Sequence, residues 1–281
     1  MIIAKTVTDL YQNLKHIRAQ KLKIGFVPTM GALHQGHISL VKRAKAENDR
    51  VVVSIFVNPT QFNNPEDLQK YPRMPEKDFE MLQNADADLL FFPTEKEIYP
   101  EGSSGKNGFD FGNLEKVLEG KFRPGHFKGV GQVVARLFEI VGADRAYFGE
   151  KDFQQLAIIR ELVRMKKYQV EIIGCPTLRE PDGLAMSSRN LLLTREMREE
   201  ATKISKALFH IRDNRNSKSL SDLISEATAM IESTGKLRVE YLEVADEQTL
   251  EPVNDLIKSK NYRCLAAAFA GNIRLIDNVQ I

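Results

Sequence analysis

Short apolar runs alternate with amphipathic helical patterns along the first 175 residues. Apolar runs of strand length occur at residues 24–27, 51–57, 88–93, 145–149 and 169–174. Helical spacing of apolar residues lies before and between these runs, at 6–20, 37–44, 75–84, 130–141 and 153–166. This alternation predicts an α/β fold with a doubly wound, Rossmann-like parallel sheet that binds ligands at the carboxyl ends of its strands.

The pattern changes in the last third of the chain. A helix is predicted at 194–212, and a polar link then leads to a second helix that ends at 231. Two strands follow, at 236–245 and 262–269. Long helices followed by strands are typical of an α+β unit. We therefore predict two domains, a larger one of residues 1–175 and a smaller C-terminal α+β domain of residues 176–281.

Composition narrows the class of partner. The chain has 281 residues, and 40 basic against 38 acidic residues leave a formal charge of +2, which argues against a nucleic-acid-coating surface. Small molecules are the expected partners. Cys175 and Cys264 lack the spacing of a zinc site, so we expect reduced thiols. No apolar run has the length of a signal peptide core or a membrane span, and we expect a cytoplasmic protein.

The loop after the first predicted strand carries the strongest chemical signal. Gly31 and Gly36 have the spacing of a Walker A loop, but His37 stands where that motif needs lysine, so no P-loop is predicted. The loop instead reads His34-x-Gly-His37 at a helix start, where unpaired N–H groups attract phosphate. Two imidazoles there can donate hydrogen bonds to a polyphosphate, and either can carry a proton near neutral pH. The alternative is that one histidine only caps the helix.

Three further loops bring polar side chains to predicted strand ends or turns. Gln61 follows the strand at 51–57, and its amide can bind a small polar ligand or merely hold its own loop together. Lys151 follows the strand at 145–149, with Asp152 as a candidate helix cap and Gln155 beyond it. Ser187, Ser188 and Arg189 suit a departing pyrophosphate, or else form a helix cap with a surface arginine. A fourth loop, at 123–130, reads as structural.

The motif at 34–37 resembles the His-x-Gly-His signature of the nucleotidylyltransferase superfamily, and the loop at 186–190 loosely resembles the Lys-Met-Ser-Lys-Ser loop of class I synthetases. Taken together and in order, six segments of the chain are similar to the pantothenate synthetase family. These segments are residues 28–37, 56–62, 71–73, 123–127, 148–152 and 186–190.

That resemblance implies an ATP-dependent ligase that joins (R)-pantoate to β-alanine. In the family, the pantoate carboxylate attacks the α-phosphorus of Mg-ATP, giving pantoyl adenylate and pyrophosphate, and the β-alanine amine then displaces AMP. The resemblance also implies a homodimer, and a C-terminal domain that closes over the ATP site of the nucleotide- and pantoate-binding domain.

The resemblance also implies roles for individual residues. His34, His37 and Lys151 would be catalytic, with His37 as proton donor. ATP would be bound by Met30, Gly31, Ala32, Leu33, His34, Gln35, Gly36, His37, Gly149, Glu150, Lys151, Asp152, Leu178, Met186, Ser187, Ser188 and Arg189. Gln61 and Gln155 would bind pantoate, and Gln61 would also lie at the β-alanine site. Mg²⁺ would be held mainly by phosphates, with Asp78 as the candidate protein contact.

Two other functions remain open from the sequence. A nucleotidylyltransferase that leaves AMP on its product would explain His34 and His37 equally well, but it gives no reason for Gln61 and Gln155. A tRNA-binding or nucleotide-sensing module would be a non-catalytic relative of the synthetases. The near-neutral charge speaks against RNA binding.

Overall fold

A parallel six-stranded sheet forms the first part of the molecule. The computed structural model describes residues 1–102, 108–257 and 259–281. The strands are β1 (Ile2–Ala4), β2 (Ile24–Thr29), β3 (Arg50–Ile55), β4 (Leu89–Phe91), β5 (Arg145–Gly149) and β6 (Glu171–Cys175). Their order is β1-β4-β3-β2-β5-β6 and every pairing is parallel. The predicted fold class is confirmed.

Helices connect the strands, and several of them cover the two faces of the parallel sheet. They are α1 (Val7–Ala19), α2 (Gln35–Glu47), α3 (Pro65–Lys70), α4 (Pro75–Asn84), α5 (Glu95–Ile98), α6 (Leu118–Phe122), α7 (His126–Val141), α8 (Phe153–Lys166), α9 (Arg195–Asn214) and α10 (Leu220–Glu232). Thr6 caps α1 with a hydrogen bond from the Asp9 amide. Helix α2 begins two residues before the predicted start, because His34 is its N-cap. Among the described residues, no helix is long and apolar enough to cross a membrane.

Alternate residues of the central strands enter two separate cores. Phe26 and Val52 pack with α1, α7 and α8 on one face of the sheet. Their neighbours Val27 and Val53 pack with α2 and α4 on the other face. Because side chains alternate along a strand, burial on both faces requires the continuous apolar runs seen in the sequence.

The C-terminal part is an antiparallel sheet of β7 (Leu237–Asp246), β8 (Tyr262–Ala270) and β9 (Ile273–Gln280). Helices α9 and α10 share a hydrophobic core with these strands. A smaller apolar cluster joins this sheet to α6 and α8 of the first part, through Leu118, Phe153 and Leu265. Strand β6 ends at Cys175, where the predicted boundary lies, and the division into two domains stays a prediction.

The sequence did not predict β1 or β9. Strand β1 has only three residues, too few for a periodic pattern. Strand β9 contains Arg274, Asp277 and Asn278, which interrupt its apolar pattern. In the structure both Asp277 and Asn278 are buried, so β9 takes its polar side chains into the molecule.

Candidate active site

A crevice opens where β2 and β5 lie side by side at the centre of the sheet. The chain proceeds from β2 to β3 on one side and from β5 to β6 on the other. Such a reversal separates the two following loops and leaves a crevice at the carboxyl ends of the strands. The loop at 30–37 follows β2, and the turn at 150–152 follows β5. Both contribute side chains to the crevice.

A buried carboxylate supports the loop after β2. Asp78 of α4 accepts hydrogen bonds from the amides of Ala32 and Leu33, at 2.9 and 2.7 Å. Gly31 and Ala32 both have positive φ, of 81° and 47°, and such a backbone needs external support at a residue with a side chain. Ser188 donates to the Ala32 carbonyl at 3.0 Å. The loop is therefore clamped from two sides.

His34 and His37 cap α2 reciprocally, which fixes their tautomers. The Nδ1 atom of His34 accepts from the Gly36 amide at 3.1 Å, and Nδ1 of His37 accepts from the His34 amide at 3.3 Å. Since each Nδ1 is an acceptor, the proton of each neutral ring is on Nε2. The capping alternative and the ligand-binding interpretation are thus compatible, because Nδ1 caps the helix and Nε2–H remains a donor.

Both imidazoles are held neutral. Burial, with the positive charge of Lys151 as the second cause, lowers the pKa of His34 to about 4. Burial also lowers the pKa of His37 well below its ordinary value, followed by the effects of His34 and Lys151. The sequence allowed either imidazole to be protonated near neutral pH, but these lowered pKa values leave both rings neutral there. They act as hydrogen-bond donors instead.

Lys151 lies in the 3₁₀ turn Glu150–Asp152, directly after β5. Its side chain is 17% exposed, and its ammonium lies 3.6 Å from an Asp152 carboxylate oxygen. Asp152 occupies the N-cap position of α8 but makes no side-chain capping hydrogen bond, so its predicted capping role is wrong. Lys151 therefore presents a fixed positive charge to the crevice that also contains both histidines.

The loop of Ser187, Ser188 and Arg189 closes another side of the crevice. Ser187 caps a 3₁₀ turn by accepting from the Arg189 amide at 3.3 Å. Arg189 pairs with Asp67 of α3 at 2.9 Å and lies over the Tyr71 ring. This guanidinium is therefore held by a partner of opposite charge rather than solvated at the surface.

Gln61 lies at the floor of the crevice and is 8% exposed. Asn58 donates to its side-chain oxygen at 3.2 Å. His126 contacts the Gln61 carbonyl through Nδ1 at 2.8 Å, and its Nε2 lies 3.2 Å from an Arg123 nitrogen. Since arginine can only donate, His126 carries its proton on Nδ1. The loop at 123–130 thus supports Gln61, in agreement with the structural role that the sequence predicted for this loop.

The crevice contains most of the predicted ligand-binding residues. Those that line it are Met30, His34, Gly36, His37, Gln61, Gly149, Lys151, Asp152, Gln155, Leu178, Met186, Ser187, Ser188 and Arg189. Gly31, Ala32, Leu33, Gln35 and Glu150 are absent from its lining. The sequence did not single out an apolar wall from α7, formed by Val130, Val133, Val134 and Leu137. Their helical spacing was the available signal, but it reads equally well as core.

The structure does not support the prediction that Asp78 contacts a metal ion. It is 2% exposed and does not line the crevice, and both carboxylate oxygens accept backbone amides. Burial raises its pKa, and the two backbone hydrogen bonds oppose that effect. In the described part of the chain, no group of three or more His, Cys, Asp or Glu side chains is arranged to hold a metal ion.

The family described as Pantoate-beta-alanine ligase matches residues 2–280 of this chain. The chain belongs to this family. It is 49% identical to a pantothenate synthetase of Flavobacterium psychrophilum over the full length of both chains. It is also 49% identical to the Bacteroides thetaiotaomicron pantothenate synthetase, covering 100% of this chain and 99% of that one. The predicted resemblance is confirmed.

Solved structures of the ligase family have the same fold. A pantothenate synthetase from Thermus thermophilus matches with a TM-score of 0.92 and 43% identity, covering 99% of each chain. A pantoate-beta-alanine ligase from Francisella tularensis, complexed with beta-gamma ATP and beta-alanine, matches with a TM-score of 0.83 and 41% identity. That match covers 99% of this chain and 97% of the other.

Proposed function

We propose that this ligase-family chain condenses (R)-pantoate with β-alanine, converting ATP to AMP and pyrophosphate through a pantoyl adenylate. The observation that carries the proposal is the convergence of phosphate-binding and amide-bearing groups on one crevice. His34, His37 and Lys151 lie with the loop of Ser187–Arg189 around it, and Gln61 and Gln155 lie beside its apolar wall. The Francisella relative, complexed with beta-gamma ATP and beta-alanine, supports the same chemistry.

In the first half-reaction, a pantoate carboxylate oxygen bonds to the α-phosphorus and the bond to the β-phosphate oxygen breaks. The Nε2–H groups of His34 and His37 donate to the phosphates without transferring a proton. Lys151 stabilises the charge that develops around the α-phosphate, and Ser187, Ser188 and Arg189 bind the departing pyrophosphate. Arg189 must exchange Asp67 for phosphate oxygens, so its pairing is temporary.

Gln61 and Gln155 orient pantoate, whose hydroxyl groups their amides can bind. The methyl groups of pantoate pack against Val133, Val134 and the rest of the α7 wall. In the second half-reaction the β-alanine amine, placed near Gln61, attacks the acyl carbon, and the bond to AMP breaks. We place the adenine of ATP beside Leu178, which lines the crevice.

Magnesium, a homodimeric state, a cytoplasmic location and closure of the C-terminal part belong to the same proposal. Phosphate oxygens would supply most of the Mg²⁺ ligands, which fits a crevice whose described residues form no metal cluster. Both cysteines are buried free thiols, which suits a reducing compartment.

The deciding experiment is pantoate-dependent exchange of labelled pyrophosphate into ATP, with Mg²⁺ present and β-alanine absent. Exchange would show that an adenylate forms reversibly, and β-alanine should then give pantothenate and AMP. A stable adenylylated product would instead favour the nucleotidylyltransferase alternative. ATP binding without exchange for any acceptor would favour the nucleotide sensor.

A further inference from the structure

Two adjacent residues of strand β9 bind the Lys151 turn and the hairpin that precedes the Ser187–Arg189 loop. Asp277 and Asn278 are 5% and 4% exposed, yet both are polar and both are fully engaged. Successive side chains of a strand point in opposite directions, so this pair can reach two different loops.

Asn278 holds the turn that carries Lys151. Its side-chain amide nitrogen donates to the carbonyls of Glu150 and Lys151, at 2.9 and 2.8 Å. Its side-chain oxygen accepts from the buried Arg263 at 2.7 Å, which fixes the orientation of the amide. Both amide protons and the oxygen are thus used, and the backbone of Lys151 is tied directly to β9.

Asp277 holds the hairpin that precedes Ser187. Its two carboxylate oxygens accept a bidentate pair from Arg179, at 2.6 and 2.9 Å. Arg179 also donates to the carbonyls of Asn278 and Gly183, at 3.2 and 3.0 Å. A bridge between Arg179 and Ala185 closes this hairpin just before Met186 and the Ser187–Arg189 loop. A bidentate, buried pair of this kind fixes orientation as well as distance.

We propose that Asp277 and Asn278 are positioning residues that set the placement of the Lys151 turn relative to the Ser187–Arg189 loop. Neither residue lines the crevice that contains the histidines, so both act through the partners that they bind. The proposal rests on the function proposed above, since it assigns the positioned groups to ATP. It makes the C-terminal sheet part of the catalytic apparatus even before any domain closure.

The test compares Asn278→Ala with Gln280→Ala. Gln280 lies on the same strand and carries the same functional group, but its amide donates to Glu247 instead of to the Lys151 turn. We expect pyrophosphate exchange in Asn278→Ala to lose about 100-fold in kcat, with the KM for ATP changed less than about three-fold, because a misplaced group weakens the transition state most. Gln280→Ala should match the unmodified protein.

A double variant separates positioning from general destabilisation. If Asn278 acts through Lys151, adding Asn278→Ala to Lys151→Ala should slow exchange by less than about two-fold. Losses that multiply in the double variant would overturn the proposal. Asn278→Ser, which keeps one hydroxyl donor, replaces the alanine variant if that one does not fold, and the same outcomes apply.

A readout without catalysis keeps this inference distinct from the proposed function. Acetic anhydride labelling of Lys151, followed by peptide mass spectrometry, reports how well the 17%-exposed side chain is held. We expect labelling to be several-fold faster in Asn278→Ala and unchanged in Gln280→Ala. Unchanged labelling in Asn278→Ala would overturn the inference, whatever the activity. If Lys151 is labelled faster in Asn278→Ala but the unmodified protein shows no pyrophosphate exchange, the positioning role is supported and the proposed function is refuted.

Discussion

The loop after β2 and the turn after β5 face the same crevice, but they are supported in different ways. The His34–His37 loop depends mainly on its own part of the molecule, through Asp78 and its reciprocal helix cap. The Lys151 turn depends on Asn278, a residue 127 positions away along the chain. One half of the proposed ATP site is built locally, and the other half is completed by the C-terminal sheet.

This difference has a consequence for assembly. Apart from the hydrogen bond that Ser188 donates to Ala32, the histidine loop is supported by contacts within residues 29–78. The Lys151 turn and the hairpin before Ser187 reach their final placement only when β9 is in position. A protein whose C-terminal sheet is displaced would keep its histidines in place and lose the alignment of its cations.

The largest expected effect comes from removing one catalytic side chain from the histidine loop or from the Lys151 turn. Lys151→Ala and His37→Ala should each slow pyrophosphate exchange by about 10²–10³-fold, since each removes a preorganised donor to developing charge. The two should differ in stability. His37→Ala also removes the acceptor for the His34 amide and should lower the free energy of unfolding by about 1 kcal/mol. Lys151→Ala removes no capping group.

Exchange kinetics and urea unfolding of the same samples measure both effects. Full exchange activity in either variant would exclude that residue from the mechanism. Equal losses of stability in the two variants would show that the turn depends on the Lys151 side chain as much as the loop depends on His37.

The same difference explains what the sequence could and could not predict. The histidine loop was recognisable because strand, glycines and helix start lie within one short segment at 24–44. The partners of Lys151 and Arg189 lie on β9 and α3, and no local pattern links residues so far apart. Asp78 was assigned to a metal because a carboxylate in sequence carries no sign of burial, and its actual partners are two amides of a distant loop.

The helix and strand predictions divide along similar lines. Long periodic segments such as α8 and α9 were predicted within a few residues of their bounds. Strand β9 was missed because its buried positions include Asp277 and Asn278 as well as apolar residues. The burial of these polar side chains is explained only by the partners that they bind, which are the Lys151 turn and Arg179.

A smaller effect is expected from Asp78→Asn, which attacks the local support alone. The amide would turn its nitrogen toward Ala32 or Leu33 and leave one buried backbone N–H without an acceptor. The free energy of unfolding should fall by about 2 kcal/mol. Because this support belongs to the histidine side of the comparison, labelling of Lys151 should stay unchanged.

Asp86→Asn is the matched control, since Asp86 is an exposed residue that follows α4. Asp86→Asn should have the same free energy of unfolding and the same rate of Lys151 labelling as the unmodified protein. Faster labelling in Asp78→Asn would mean that the two sides share their support, and the contrast between loop and turn would fail.

An effect of similar size is expected from pH, because the stability of the protein should depend on the protonation of the histidine loop. Burial and the Lys151 charge lower the pKa of His34 from 6.5 to about 4. Between these two values the unfolded chain takes up a proton that the folded chain does not. Its contribution to stability is therefore complete above pH 6.5 and is lost as the pH falls toward 4. Allowing for partial exposure, this loss should be on the order of 2 kcal/mol.

His34→Gln removes the titrating group, and acid effects outside the His34–His37 pair are common to both proteins. The difference in free energy of unfolding between the unmodified protein and His34→Gln should change by that amount between pH 7 and pH 4. A difference that does not vary with pH would mean that the His34 ring charges freely in the folded protein, and the neutral donors proposed for the phosphates would have to be replaced by an imidazolium.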